Sequence, residues 1–280
     1  MRQGPTILLC LLALGPAAFA GEPAKHEKSN KVAADQKPAQ TLFGRLGRPA
    51  KAEVVEELLE EHRGEDTPAL LRLAGALGLS GGPAAADGLL ELVGDEDAEV
   101  RAAAYRAAAQ IGLRHAKLRS AVRWALGRRR AAERAAALQA LGAVGDGRDV
   151  PIALQIAGDD TEDGAVRRAA FKALRKLSGQ AKPYRIDRWR VWWASLGQQG
   201  PARVTQAIQT FQNDPAMRDV AAGILGRLAW LRLDVVERHV VDWLGDEDPR
   251  VRAAAIRIAG ATRSSRLVDD LNRVVGDSGE

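Results

Sequence analysis

Asp95-Glu96-Asp97-Ala98-Glu99-Val100-Arg101-Ala102-Ala103-Ala104 and Asp246-Glu247-Asp248-Pro249-Arg250-Val251-Arg252-Ala253-Ala254-Ala255 are nearly one decapeptide written twice. Each opens a run with apolar residues three, four, seven and eight places beyond its valine, the stripe of a helix that turns one side to a core. Val100 leads Ala103, Ala104, Ala107, Ala108 and Ile111, and Val251 leads Ala254, Ala255, Ile258 and Ala259. Outward from these, Val166, Met217, Glu133 and Leu70 head further copies, so the leading positions are 70, 100, 133, 166, 217 and 251. Their separations are 30, 33, 33, 51 and 34 residues, a helix-pair period with one spacing about 18 too long.

Other positions fix the same register. Three residues before each leading position stand Thr67, Asp97, Arg130, Asp163, Asp214 and Asp248, and all but Arg130 can cap a helix with a side-chain oxygen. Pro68, Pro215 and Pro249 follow, where a missing N–H is tolerated. Gly82, Gly112 and Gly145, twelve places beyond their leading residues, are expected to end the helices in left-handed turns. Shorter apolar segments at 51–62, 83–93, 117–126, 148–156, 202–211 and 234–244 supply the first helix of each pair, and 265–275 supplies a terminal cap.

The chain has 41 basic and 36 acidic side chains and a net charge of +5, which permits an anionic partner without requiring one. Arg2, the apolar run from Ile7 to Leu14 and Ala18-Phe19-Ala20 predict a signal segment over residues 1–20, cleaved after Ala20, and hence export to the periplasm or beyond. The run is too short to span a membrane. Cys10 is preceded by the bulky Leu9, which disfavours a lipid anchor, and no cysteine remains after cleavage for disulfides, thiolate metal sites or nucleophiles. Residues 21–48, rich in Lys, Ala, Gln and Pro, predict a flexible tether, and 49–278 the repeat array.

The two acidic decapeptides resemble the second helix of HEAT repeats, of the phycobilisome-lyase-like subclass, over roughly residues 50 to 278. The resemblance implies an all-α, right-handed α-solenoid of about six helix pairs with a C-terminal capping helix. Ser178-Gly179-Gln180 and Asp187-Arg188-Trp189-Arg190-Val191-Trp192-Trp193 fall in the long spacing, at about 179–199, and are similar to an insertion in exported bacterial HEAT-repeat proteins. Trp189, Trp192 and Trp193 share one face of a short helix and are expected to plug it onto its neighbours, while Trp124, Trp230 and Trp243 are expected to fill inter-repeat space.

Arg101, Arg134, Arg167, Arg218 and Arg252 directly follow leading residues and are expected to form a structural ladder onto inter-helix turns. The third repeat departs from the pattern with Arg130 and Glu133, and packs Arg119, Arg123, Arg128, Arg129 and Arg130 into a short stretch, the candidate contact for an acidic partner. The acidic turns lack the Gly and Glu of a calcium loop, and His26, His62, His115 and His239 occur singly, so neither a metal nor a cofactor is expected. No catalytic motif is present. The reading is a non-enzymatic exported scaffold that binds a protein partner on its helical surface. HEAT-like enzymes of the bilin-lyase or DNA-glycosylase kind, and a structural envelope spacer, are the alternatives. Export argues against nucleic acid.

Overall fold

The computed structural model describes residues 42–231 and 233–276. The expected signal segment and all but the last residues of the expected tether lie outside them. Thirteen helices follow one another among the described residues: α1 (Ala52–Glu61), α2 (Thr67–Ser80), α3 (Gly82–Leu92), α4 (Ala98–Ile111), α5 (Ala116–Ala125), α6 (Ala131–Val144), α7 (Val150–Ala157), α8 (Gly164–Ser178), α9 (Ile186–Asn213), α10 (Arg218–Leu228), α11 (Leu233–Leu244), α12 (Pro249–Thr262) and α13 (Val268–Gly276). They pack as an all-α solenoid of helix pairs. The array begins earlier than composition suggests: a helical turn over 42–46 places Leu46 fully in the core, and Ala50 N–H donates to the Gly81 carbonyl.

The second helices carry the stack. α2, α4, α6 and α8 pack side by side in order, as do α10 and α12, but α8 and α10 do not continue the row. The apolar interior accordingly divides into two clusters. One runs from Leu46 to Trp189 and includes Trp230; the other runs from Val204 to Leu267. Alanines dominate both, and such small side chains let helices approach closely while the leucines and valines between them fill the layers.

Helix α9 joins the two stacks. The expectation is a short tryptophan helix within 179–199 and a separate helix over 202–211. Instead the helix runs through all 28 residues. The carbonyl that the Pro201 ring approaches belongs to Gly197, and the helix is held at both ends, by Trp189 in the first cluster and by Val204 and Phe211 in the second.

The two stacks meet again away from α9. Arg114 N–H donates to the Arg263 carbonyl at 2.7 Å, Ser265 N–H donates to the Arg114 carbonyl at 3.1 Å, and Arg114 Nη1 donates to the Thr262 carbonyl at 2.8 Å. Arg263 takes a left-handed conformation (φ 52°) to present that carbonyl, rare for a residue with a side chain. Nearby, Gly147 lies so close to Leu231 that a Cβ would stand 2.9 Å from its Cα.

Several local readings are corrected. Asp66, not Thr67, caps α2 by accepting from Ala69 N–H; Thr67 is already helical and donates its hydroxyl to Asp97. Gly112 ends α4 in the left-handed region, and Gly81 and Gly82 both have positive φ. Gly145 does not, at φ −77°; glycine is needed there for room, since a Cβ would lie 2.4 Å from the Leu141 carbonyl oxygen. Trp124 is no filler: it is 60% exposed, and the Arg128 guanidinium lies 3.6 Å from its ring centroid.

Candidate binding groove

Each second helix offers an apolar stripe, and in a stack its flanks are covered by the second helices before and after it. At the leading position Val100, Glu133, Val166 and Val251 are buried, and three residues later so are Leu73, Ala136, Ala169 and Ala254. At the start of α10 the equivalent residues are open: Met217, just before the helix, is 43% exposed, and Val220, in its first turn, is 52% exposed. No neighbouring second helix covers them, because α9 has carried the chain away from α8.

What remains between α9 and α10 is a cleft of about 750 Å³, lined also by Ser178, Gly179 and Gln180 at the end of α8. Trp192, Leu196 and Ala207 form the α9 wall, and Met217, Val220, Ile224 and Leu228 the α10 wall. The spacing in each set places its members on one side of one helix. Trp192 sits in a chain of ring contacts, edge-on to Trp189 at 5.5 Å and tilted to Trp193 at 6.0 Å, and Trp193 reaches Trp230 at 6.5 Å. Trp189 is fully buried and donates its indole N–H to the Pro183 carbonyl, which anchors the series. The tryptophan face therefore plugs the insertion and also builds one wall of the cleft. Arg203 and Arg227 stand on the cleft lining with no carboxylate among its residues, and neither has an ion-pair partner among the described residues.

The arginines singled out from the sequence lie elsewhere and divide into two groups. Arg119 and Arg123 turn inward onto the buried carboxylates of Asp146 and Asp149. Burial alone would push the Asp146 carboxyl up, but Arg148 and Arg119 outweigh it and hold it below the usual aspartate value. Arg128 stacks on Trp124, while Arg129 and Arg130 are exposed at the turn before α6, where no side chain caps the helix.

Packing accounts for Glu133. Its fully buried carboxylate accepts from Arg101 Nε and Nη2, both at 2.8 Å, and Arg101 Nη1 also donates to the carbonyls of Asp95 and Glu96. Arg134 contacts Glu162, Arg167 contacts Asp160, Arg218 reaches the Phe211 carbonyl and Asp248, and Arg252 reaches the carbonyls of Asp246 and Glu247. Each of the five thus bonds to an inter-helix turn or helix end of its own or the adjoining repeat. Among the described residues no three His, Cys, Asp or Glu side chains gather as metal ligands, and no helix is long and apolar enough to cross a membrane.

The cleft was not apparent in the sequence. Its available signals were the long 51-residue spacing and the large apolar residues Met217 and Val220, which read as ordinary members of a buried stripe.

No family model matches the chain, and no curated protein matches it. Among solved structures it is similar to a chain of the complex of CpcE and CpcF of phycocyanin lyase from Nostoc sp. PCC7120, at 18% identity and a TM-score of 0.42, with 90% of this chain and 98% of that one covered.

Proposed function

We propose that this chain is a non-enzymatic scaffold outside the cytoplasm that binds a partner protein by receiving one of its amphipathic helices in the cleft between α9 and α10. The observation that supports this is the exposure of Met217 and Val220, at positions that other repeats bury beneath a neighbouring helix. A helix is the natural occupant, because a helix covers the corresponding flank elsewhere in the stack. Arg203 and Arg227 favour acidic residues along the flank of that helix. Export rests on the signal-type N-terminus.

The test places a photo-crosslinking residue at position 220, with position 129 as an exposed control. A partner captured from the envelope fraction at 220 alone should yield a crosslinked peptide that is helical and acidic. A synthetic copy should bind wild type, and Val220→Asp should weaken it at least about tenfold, which matches loss of a well-buried apolar anchor. Since Val220 is half exposed, the variant should keep its far-ultraviolet circular dichroism. Equal binding by Val220→Asp, or no capture at 220 above that at 129, would overturn the proposal.

A further inference from the structure

A second cavity, of about 260 Å³, lies where the two stacks meet, with Arg114, Arg119 and Arg148 on one side and Asp234, Glu237 and Arg266 on the other. Three of these four guanidiniums have carboxylates. Arg119 and Arg148 share Asp146, and Arg266 lies 3.7 Å from Glu237.

Arg114 has none. It is 7% exposed, and its only side-chain bond among the described residues runs from Nη1 to the Thr262 carbonyl. Its Nε is buried with no hydrogen-bond partner among the described residues, and the residue lines the cavity. Burial, and then the nearby Arg263, bring its pKa down to about 10 against the opposing pull of Asp146 and Glu237. A buried guanidinium that Asp146 and Glu237 favour only at longer range, with no ion pair of its own among the described residues, is under-compensated, and its planar fork matches a carboxylate or phosphate.

We propose that this cavity binds one small oxyanion, a carboxylate or phosphate group, against Arg114, and that the ligand ties the two stacks together. Asp234 and Glu237, which also line the cavity, repel a polyanion. The site is separate from the cleft, so each can fail without the other.

Full-length protein in chloride buffer would be titrated with inorganic phosphate and, separately, with acetate at fixed ionic strength, reading the melting midpoint. Binding to the folded form alone should raise the midpoint saturably, and the anion with the lower half-saturation identifies the preferred group. Arg114→Lys, which keeps the charge but loses the fork, and Arg114→Gln should raise half-saturation at least about tenfold. Hydrogen exchange on wild type reads the same contact without a substitution: the ligand should slow exchange over residues 112–120 and 262–267. Responses no greater than those to added chloride, unaltered half-saturation in the variants, or unchanged exchange in those segments would each overturn the proposal.

Discussion

In Glu133→Ala a carboxylate is removed from beneath a guanidinium that has nowhere else to go. Arg101 keeps 10% of its side-chain exposure and Glu133 only 1%, and the pair is bidentate at 2.8 Å per bond. With Arg101 Nη1 fixed by the carbonyls of Asp95 and Glu96, the side chain cannot swing to water without giving up those bonds as well. Removing one member of a buried pair costs about 3–5 kcal/mol. The upper part of that range is expected, because Arg128 Nε, 3.9 Å from Glu133, would then face Arg101 without an intervening anion. Urea titration followed by circular dichroism provides the measurement, with the slope compared between proteins to verify that the same transition is being read. Arg101→Met combined with Glu133→Leu, which removes both charges and fills the space, should recover most of the loss, to within about 1 kcal/mol of wild type. A loss below about 1 kcal/mol in Glu133→Ala, or a double variant as damaged as the single one, would refute the reasoning.

Three further outcomes are expected. Tyr105 is fully buried with a hydroxyl that has no partner among the described residues, so Tyr105→Phe should stabilise the protein by about 1 kcal/mol; a lower urea midpoint would show that the hydroxyl is bonded. Gly145→Ala should cost about 1–3 kcal/mol through overpacking against Leu141 and Asp149, although its φ of −77° suits alanine, and a neutral midpoint would contradict the close approach. The Asp146 carboxyl is held below its ordinary value of 3.8, so its contribution is complete above that pH and is lost as pH falls through the lower, folded value. Stability measured from pH 6 to about pH 2 should therefore drop less steeply in Asp146→Asn than in wild type, and parallel curves would show that Asp146 is not the group responsible.

The second helices were legible because two independent signals coincide in them, an apolar stripe set by helical geometry and a capping carboxylate set by unsatisfied N–H groups. Asp97 and Asp248 do cap α4 and α12, accepting from Glu99 and Arg250 N–H. Where only one signal is present, the sequence is less specific. The register points to Thr67 as a cap, yet the adjacent Asp66 is the residue whose side chain accepts from Ala69 N–H. Glu133 stood out as a charge at an apolar position, but its partner Arg101 lies 32 residues away, so only the fold shows that each satisfies the other. Arg119 and Arg123 looked like surface charge for the same reason, since Asp146 and Asp149 belong to the next repeat. The cleft and the Arg114 cavity were illegible in principle. Both depend on how two stacks dock after an insertion, and periodicity reports only what each repeat does with its immediate neighbours.

The contact between Arg114 and residues 262–265 has a consequence for the order in which the chain folds. Pairing of adjacent repeats closes loops of about 33 residues, whereas the Arg114 side chain meets Thr262 across 148. Loop closure grows as three-halves RT times the logarithm of length, so this contact starts about 1.3 kcal/mol behind an ordinary repeat seam, and it repays that only when both surfaces already exist. The first four pairs can propagate by local steps from any starting point, and α10 to α12 can do likewise, but the lock at Arg114 must wait for both. It is therefore expected to assemble after both stacks, and the continuous helix α9 serves as the tether that keeps its two halves at high effective concentration while they search.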